Sequence, residues 1–151
     1  MSIHEKLKEL NIELPTPATP LASYIPVKQS GNLLYVSGQL PTKNGELLYI
    51  GKLGKEITTE DGSNAARQCA INTLSAINAY IDLDKVKSIV KLMVFVNSTE
   101  DYTDAPSVAN GASELFVQVF GNTIGQHTRS AVSVASLPKG VPVEIDIIVE
   151  I

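Results

Sequence analysis

The chain has 151 residues, of which 44% are hydrophobic and 19% charged, the composition of an ordinary folded domain and not of a disordered chain. Its formal net charge of −4 argues against a nucleic-acid partner, because proteins that grip phosphate backbones carry a basic patch or stripe. The start, Met1-Ser2-Ile3-His4-Glu5-Lys6, is charged and leads into no apolar run, and the most apolar stretch, 89–96, is interrupted by Lys91. Neither a secretory leader nor the roughly 20 apolar residues of a membrane span is expected, and the single cysteine, Cys69, can form no internal disulfide. A cytoplasmic protein without a membrane partner is the expectation.

In chain order, Ile3, Leu7 and Leu10 fall at helical intervals, so a short amphipathic helix is predicted over 3–10. Pro15, Pro17, Pro20 and Pro26 then exclude regular helix from a tether that runs to about residue 22 and beyond. Residues 24–29 and 33–37 read as strands joined by Ser30-Gly31-Asn32, a hairpin. Gly45 and Gly51 bracket a further short strand over 47–50. A long helix is predicted over 60–81, capped by Thr58 or Thr59, with Glu60 and Asp61 near the positive end of its dipole. Its buried stripe is Ala66, Ala70, Leu74, Ile77 and Ile81, and Cys69 among these neighbours reads as core filler.

The run 86–96 is predicted as a central strand: Val86, Val90, Leu92, Val94 and Val96 line one face, and Met93 and Phe95 make the other apolar as well. A second helix follows over 105–120, ending near Gly121, and then strands over 130–135 and 141–151. In the last strand Val141, Val143, Ile145, Ile147, Val149 and Ile151 share one face, while Glu144, Asp146 and Glu150 share the other with Ile148. The order implies an α+β fold of one domain over 1–151: a single mixed sheet, two helices packed on one face, and a short N-terminal helix. The opposite face, with Met93, Phe95 and Ile148, is then left for self-association to bury.

Only two arginines stand among twelve basic residues, Arg67 and Arg129. A guanidinium matches a carboxylate with two parallel hydrogen bonds, which an ammonium cannot. Arg129 follows the loop 121–128 at the start of a strand, so it is either an anion clamp or an ordinary surface ion pair. Arg67, early in its helix, reads as a surface partner of Asp61 or a neighbour. Glu144 is a candidate general base or simply part of a solvated strand face. With two histidines, His4 and His127, and one cysteine, no metal-ligand spacing occurs, and no nucleotide-binding or serine-hydrolase motif is present.

Val36-Ser37-Gly38-Gln39-Leu40-Pro41, Val94-Phe95-Val96, Thr128-Arg129-Ser130-Ala131-Val132 and the block from Leu137 to Ile145 resemble, in order and spacing, the Rid (reactive intermediate deaminase) or YjgF-like family. The resemblance covers roughly residue 24 to the C-terminus, and the N-terminal helix and tether resemble those of a longer subgroup. It implies a chorismate-mutase-like fold assembled as a homotrimer, with ligand sites in clefts between subunits and no metal or organic cofactor. It further implies hydrolysis at C=N bonds: conversion of 2-aminoacrylate and related enamine or imine acids to 2-keto acids and ammonia, as by 2-iminobutanoate/2-iminopropanoate deaminases.

Carried over by position, the resemblance makes Arg129 the clamp of the substrate carboxylate and Glu144 the acid that orients the attacking water. Tyr24, Ser37 and Asn110 take neighbouring positions, and Ala131 stands where a cysteine is common, leaving backbone contacts to the ligand. His127-Thr128 replaces the usual Pro or Ala and small residue, which alters the pocket rim. Two other functions compete: a non-catalytic binder of small carboxylates or interaction protein using the same cleft, and a ribonuclease or translation inhibitor. The last sits badly with the net charge and with a chain that has no Trp and no aromatic stacking platform.

Overall fold

The computed structural model describes residues 1–17, 19–20 and 22–151; Ala18 and Leu21, in the expected tether, lie outside the described residues. Helix α1 (Ile3–Glu9) is closed by a capping box between Ser2 and Glu5, and no helix occurs among the described residues from there to residue 58. Strands β1 (Val27–Ser30) and β2 (Leu33–Gln39) form the expected hairpin, with Gly31 at φ +60° supplying the turn.

The strand expected over 47–50 is only a vestige. Thr42–Lys43 (β3) and Glu46–Leu47 (β4) form a tiny separate hairpin turned by Asn44 and Gly45, both with positive φ. Beyond Leu47 the backbone leaves its partner: Leu48 N–H donates to Pro41 and Gly51 N–H to the Gly140 carbonyl. Ile50 is 63% exposed. Bonding to separate loops, not to one strand, is why no ladder forms there.

Helix α2 (Thr59–Tyr80) is capped by Thr58, whose hydroxyl accepts the Asp61 N–H. Strand β5 (Ser88–Asn97), helix α3 (Ala105–Gly125), β6 (Thr128–Val134) and β7 (Val143–Glu150) follow. The sheet order is β1-β2-β7-β5-β6, with only β5 and β6 parallel. Both long helices cover one face, where Leu34, Leu92, Val94, Val96, Ile145, Ile147 and Val149 are buried. No helix among the described residues is long and apolar enough to cross a membrane.

Two details depart from simple alternation. The β5–β7 register slips between Ile89 and Lys91, so Val90 is an extra residue; Ile89, not Val90, is buried toward the helices. Helix α3 is broken at Gly121 (φ 77°), where the predicted helix ends, and a last turn runs on to Gly125.

The two helices approach closely at Gly111, where an added Cβ would lie 2.0 Å from the Ser63 carbonyl oxygen. Helix propensity alone favours alanine over glycine by about 1 kcal/mol. Here backbone cannot give way as a flexible side chain can, so Gly111→Ala is expected to destabilise the fold by roughly 1–3 kcal/mol. Denaturant melts check this, and a stabilised variant would contradict the close crossing.

Candidate functional site

Strand register fixes which expected site residues share a side of the sheet. Arg129 pairs with Leu92, and Ala131 with Val94, both on the helix-covered face. Glu144 pairs with Phe95, which pairs in turn with Val132, on the opposite face. Arg129 and Glu144 therefore lie on different faces of one sheet.

Around Arg129 the sequence builds a compact polar cluster. The bulge at Val90 leaves its carbonyl free to accept the Thr128 hydroxyl at 2.9 Å, which pins the start of β6 beside β5. From α3, the Asn110 Oδ1 accepts from Arg129 Nη1 at 2.8 Å, and the Ser113 Oγ accepts from the same nitrogen at 3.2 Å. Asn110 and Ser113 stand one helical turn apart and so share a face. Both hydrogens of Nη1 are thereby used. The Nε and Nη2 hydrogens have no partner among the described residues and form a fork open to solvent, the geometry that takes a carboxylate with two bonds.

The second group sits at the β2–β7 junction. Between Val36 and Gln39 the register slips again, so the Ser37-Gly38 segment bulges. The Ser37 hydroxyl donates to the Ile25 carbonyl at 2.7 Å and its N–H to Pro26 at 2.8 Å, which ties the segment carrying Tyr24 to the end of β2. Tyr24 is 55% exposed. The Glu144 carboxylate lies over Gly38: a Cβ there would be 2.7 Å from Glu144 Oε1, so glycine is what admits it. Glu144 is half-buried with no hydrogen-bond or ion-pair partner among the described residues. Burial, and then the neighbouring Asp146, push its carboxyl up from the usual glutamate range.

The structure thus joins Arg129 with Asn110, and gathers Tyr24, Ser37 and Glu144 elsewhere. Ala131 lies half-buried on the Arg129 side. Arg67 does not pair with Asp61; it reaches across to Gln118 of α3 at 3.3 Å, because the helix crossing brings that amide closer than its own first turn. Cys69 is fully buried, and burial, followed by Glu144, pushes its thiol well up, as fits a packing residue. Two cavities, of about 670 and 390 Å³, open beside the tether and contain none of the residues expected at the site. Sequence reading missed Ser113; its only signal was the three-residue spacing from Asn110.

A family model described as Endoribonuclease L-PSP matches residues 15–151. Protein TCP17 of Trypanosoma cruzi is 47% identical over 146 residues, 96% of this chain and 91% of that protein. The 2-iminobutanoate/2-iminopropanoate deaminase of Escherichia coli (strain K12) is 32% identical over 130 residues, 85% of this chain and 87% of the deaminase. Among solved structures, protein Atu1372 of Agrobacterium tumefaciens superposes with a TM-score of 0.92 at 43% identity, covering 99% of this chain and 92% of its own. That coverage takes in α1, which the family match leaves out. On a match over nine-tenths of its length, the chain belongs to the Endoribonuclease L-PSP family, the YjgF/Rid proteins.

Proposed function

We propose that the protein is an enamine/imine deaminase that hydrolyses 2-aminoacrylate-type intermediates to 2-keto acids and ammonia. The observation that carries this reading is the open Nε/Nη2 fork of Arg129, held by Asn110 and Ser113 through the guanidinium's third nitrogen. Support also comes from the relationship to the Escherichia coli deaminase.

An imine carbon beside a carboxylate is already electrophilic, so the protein needs only to fix the carboxylate, place a water and move protons. In this reading Arg129 holds the carboxylate and Ala131 offers backbone groups beside it. Glu144, ionised, takes a proton from water as its oxygen bonds to C2. That proton passes to the nitrogen, which has taken the C=N electron pair. As the C–N bond breaks, the remaining hydroxyl hydrogen goes by way of Glu144 to the departing nitrogen, so ammonia leaves and the 2-keto acid remains. An enamine substrate first takes up a proton at C3 and gives one up from nitrogen, becoming the imine. A carboxyl raised by burial is a better base than a solvated one, and Glu144 fits this role. Tyr24, Ser37 and Asn110 line the site.

Because Arg129 and Glu144 occupy opposite faces of one sheet, the proposed site takes Arg129 and Asn110 from one copy and Glu144, Ser37 and Tyr24 from another. Such a cleft fits a homotrimer built on the helix-free face, where Tyr35, Met93, Phe95, Val132 and Ile148 are covered by no helix among the described residues. Val132 is 43% exposed there. Val132→Glu is expected to reduce the mass in light scattering from three chains to one and to abolish turnover with it. A monomeric wild type, or a fully active monomeric variant, would contradict the shared cleft.

The direct test generates 2-aminoacrylate with a serine dehydratase and follows enamine loss and keto-acid release. Acceleration by the protein supports hydrolysis; an intact assembly that binds pyruvate without acceleration would make the cleft a carboxylate-binding site.

A further inference from the structure

Resemblance gives His127 no role beyond an altered pocket rim, yet it belongs to a continuous hydrogen-bond chain from Arg129. Its Nδ1 is 2.7 Å from the Gly125 carbonyl oxygen, which can only accept, so Nδ1 carries the proton. In the neutral ring its Nε2, 2.9 Å from Ser113 Oγ, offers a lone pair. The Ser113 hydroxyl donates to that lone pair, and its own oxygen is left facing Arg129 Nη1 as an acceptor. The imidazole is held further by the edge of buried Phe116, with ring centres 6.2 Å apart and planes at 86°. The chain runs in one direction, from Arg129 to Ser113 to His127 to the Gly125 backbone, and it engages both hydrogens of Arg129 Nη1, the Ser113 hydroxyl and both ring nitrogens of His127.

We propose that Ser113 and His127 are positioning residues that aim Arg129 at the substrate carboxylate, a role that rests on the deaminase reading of the same site. An arginine side chain is long and loses much rotamer freedom when it is held. Asn110 alone fixes one hydrogen of Nη1 and leaves the plane of the guanidinium free to turn about that bond. The second bond, to Ser113, fixes the plane and with it the direction of the Nε/Nη2 fork. A serine hydroxyl free to rotate would present its hydrogen to the guanidinium part of the time. His127 removes that orientation by taking the hydrogen itself. Last, Asn110 spends its Oδ1 on Arg129, which leaves its amide N–H groups as donors. The Arg129 side of the cleft thus presents donors, suited to an anion.

The test combines steady-state kinetics on enzymatically generated 2-iminobutanoate with calorimetric binding of pyruvate, a non-reacting carboxylate. Ser113→Ala is expected to raise KM and the pyruvate Kd roughly three- to tenfold, with a much smaller change in kcat, because a carboxylate clamp serves ground and transition states alike. His127→Ala should do the same. The double variant should be no worse than Ser113→Ala, since His127 acts through the serine; a residue important only for packing on Phe116 would add its own effect. Ser113→Thr, which keeps the hydroxyl, should recover most of the affinity.

An unchanged KM and Kd in Ser113→Ala, or additive losses in the double variant, would overturn the proposal while leaving the deaminase reading intact. A wild type that binds pyruvate but hydrolyses no imine would remove that reading, and the pyruvate affinities alone would then decide the roles of Ser113 and His127. A wild type that neither binds nor hydrolyses removes both.

Discussion

Arg129→Ala is expected to lower kcat/KM for 2-iminobutanoate by the equivalent of about 2–5 kcal/mol, the usual cost of deleting one partner of a desolvated, hydrogen-bonded charge pair. Arg129→Lys should recover only part of this, because an ammonium keeps the charge but cannot present two parallel N–H groups. Melting temperature should change little in either variant. Arg129 is exposed in the chain, and its two partners, Asn110 and Ser113, can be solvated when it is gone. Loss of turnover without loss of the fold separates a ligand clamp from a structural ion pair, and an unaltered rate in Arg129→Ala would remove the clamp altogether.

Glu144→Gln carries the second large expectation, in which activity and stability move in opposite directions. Turnover should fall by roughly 10²–10⁴-fold, the typical contribution of a positioned general base. Stability at neutral pH should rise. Burial, and then Asp146, hold the folded-state carboxyl above its unfolded value, so folding favours the protonated form. The ionised side chain therefore costs stability. That cost is absent below the unfolded pKa and complete above the raised folded one. Glutamine removes it, so the gain in Tm should be present at pH 7 and fade as the pH approaches about 4. Equal gains at both pH values would show that ionisation of Glu144 is not what burdens the fold.

Much of the fold was legible because hydrophobic period depends on local sequence. The unbroken apolar face of β7 and the Thr58-capped stripe of α2 needed no knowledge of partners. The bulges were not legible: whether Val90 or Ile89 faces the helices depends on how β7 pairs, and a one-residue slip moves a side chain to the other face. The same holds at Ser37-Gly38, where the bulge and the missing Cβ together make room for Glu144. Arg129 was conspicuous as one of two arginines and resemblance supplied Asn110, but Ser113 was hidden, since it reaches Arg129 only once α3 packs against the β6 edge. Arg67 misled for the same reason, its partner Gln118 lying on another helix. Opposite placement of Arg129 and Glu144 follows from register alone, and register is a property of the folded sheet.

Co-expression of Arg129→Ala with Glu144→Gln tests the account most directly. Each variant alone is expected to be inactive. If each site draws Arg129 from one copy and Glu144 from another, mixed assemblies contain clefts with both native residues, and random mixing should restore roughly a quarter of wild-type imine hydrolysis. Mixed assemblies that form, by mass, yet remain as inactive as the single variants would contradict a site shared between copies.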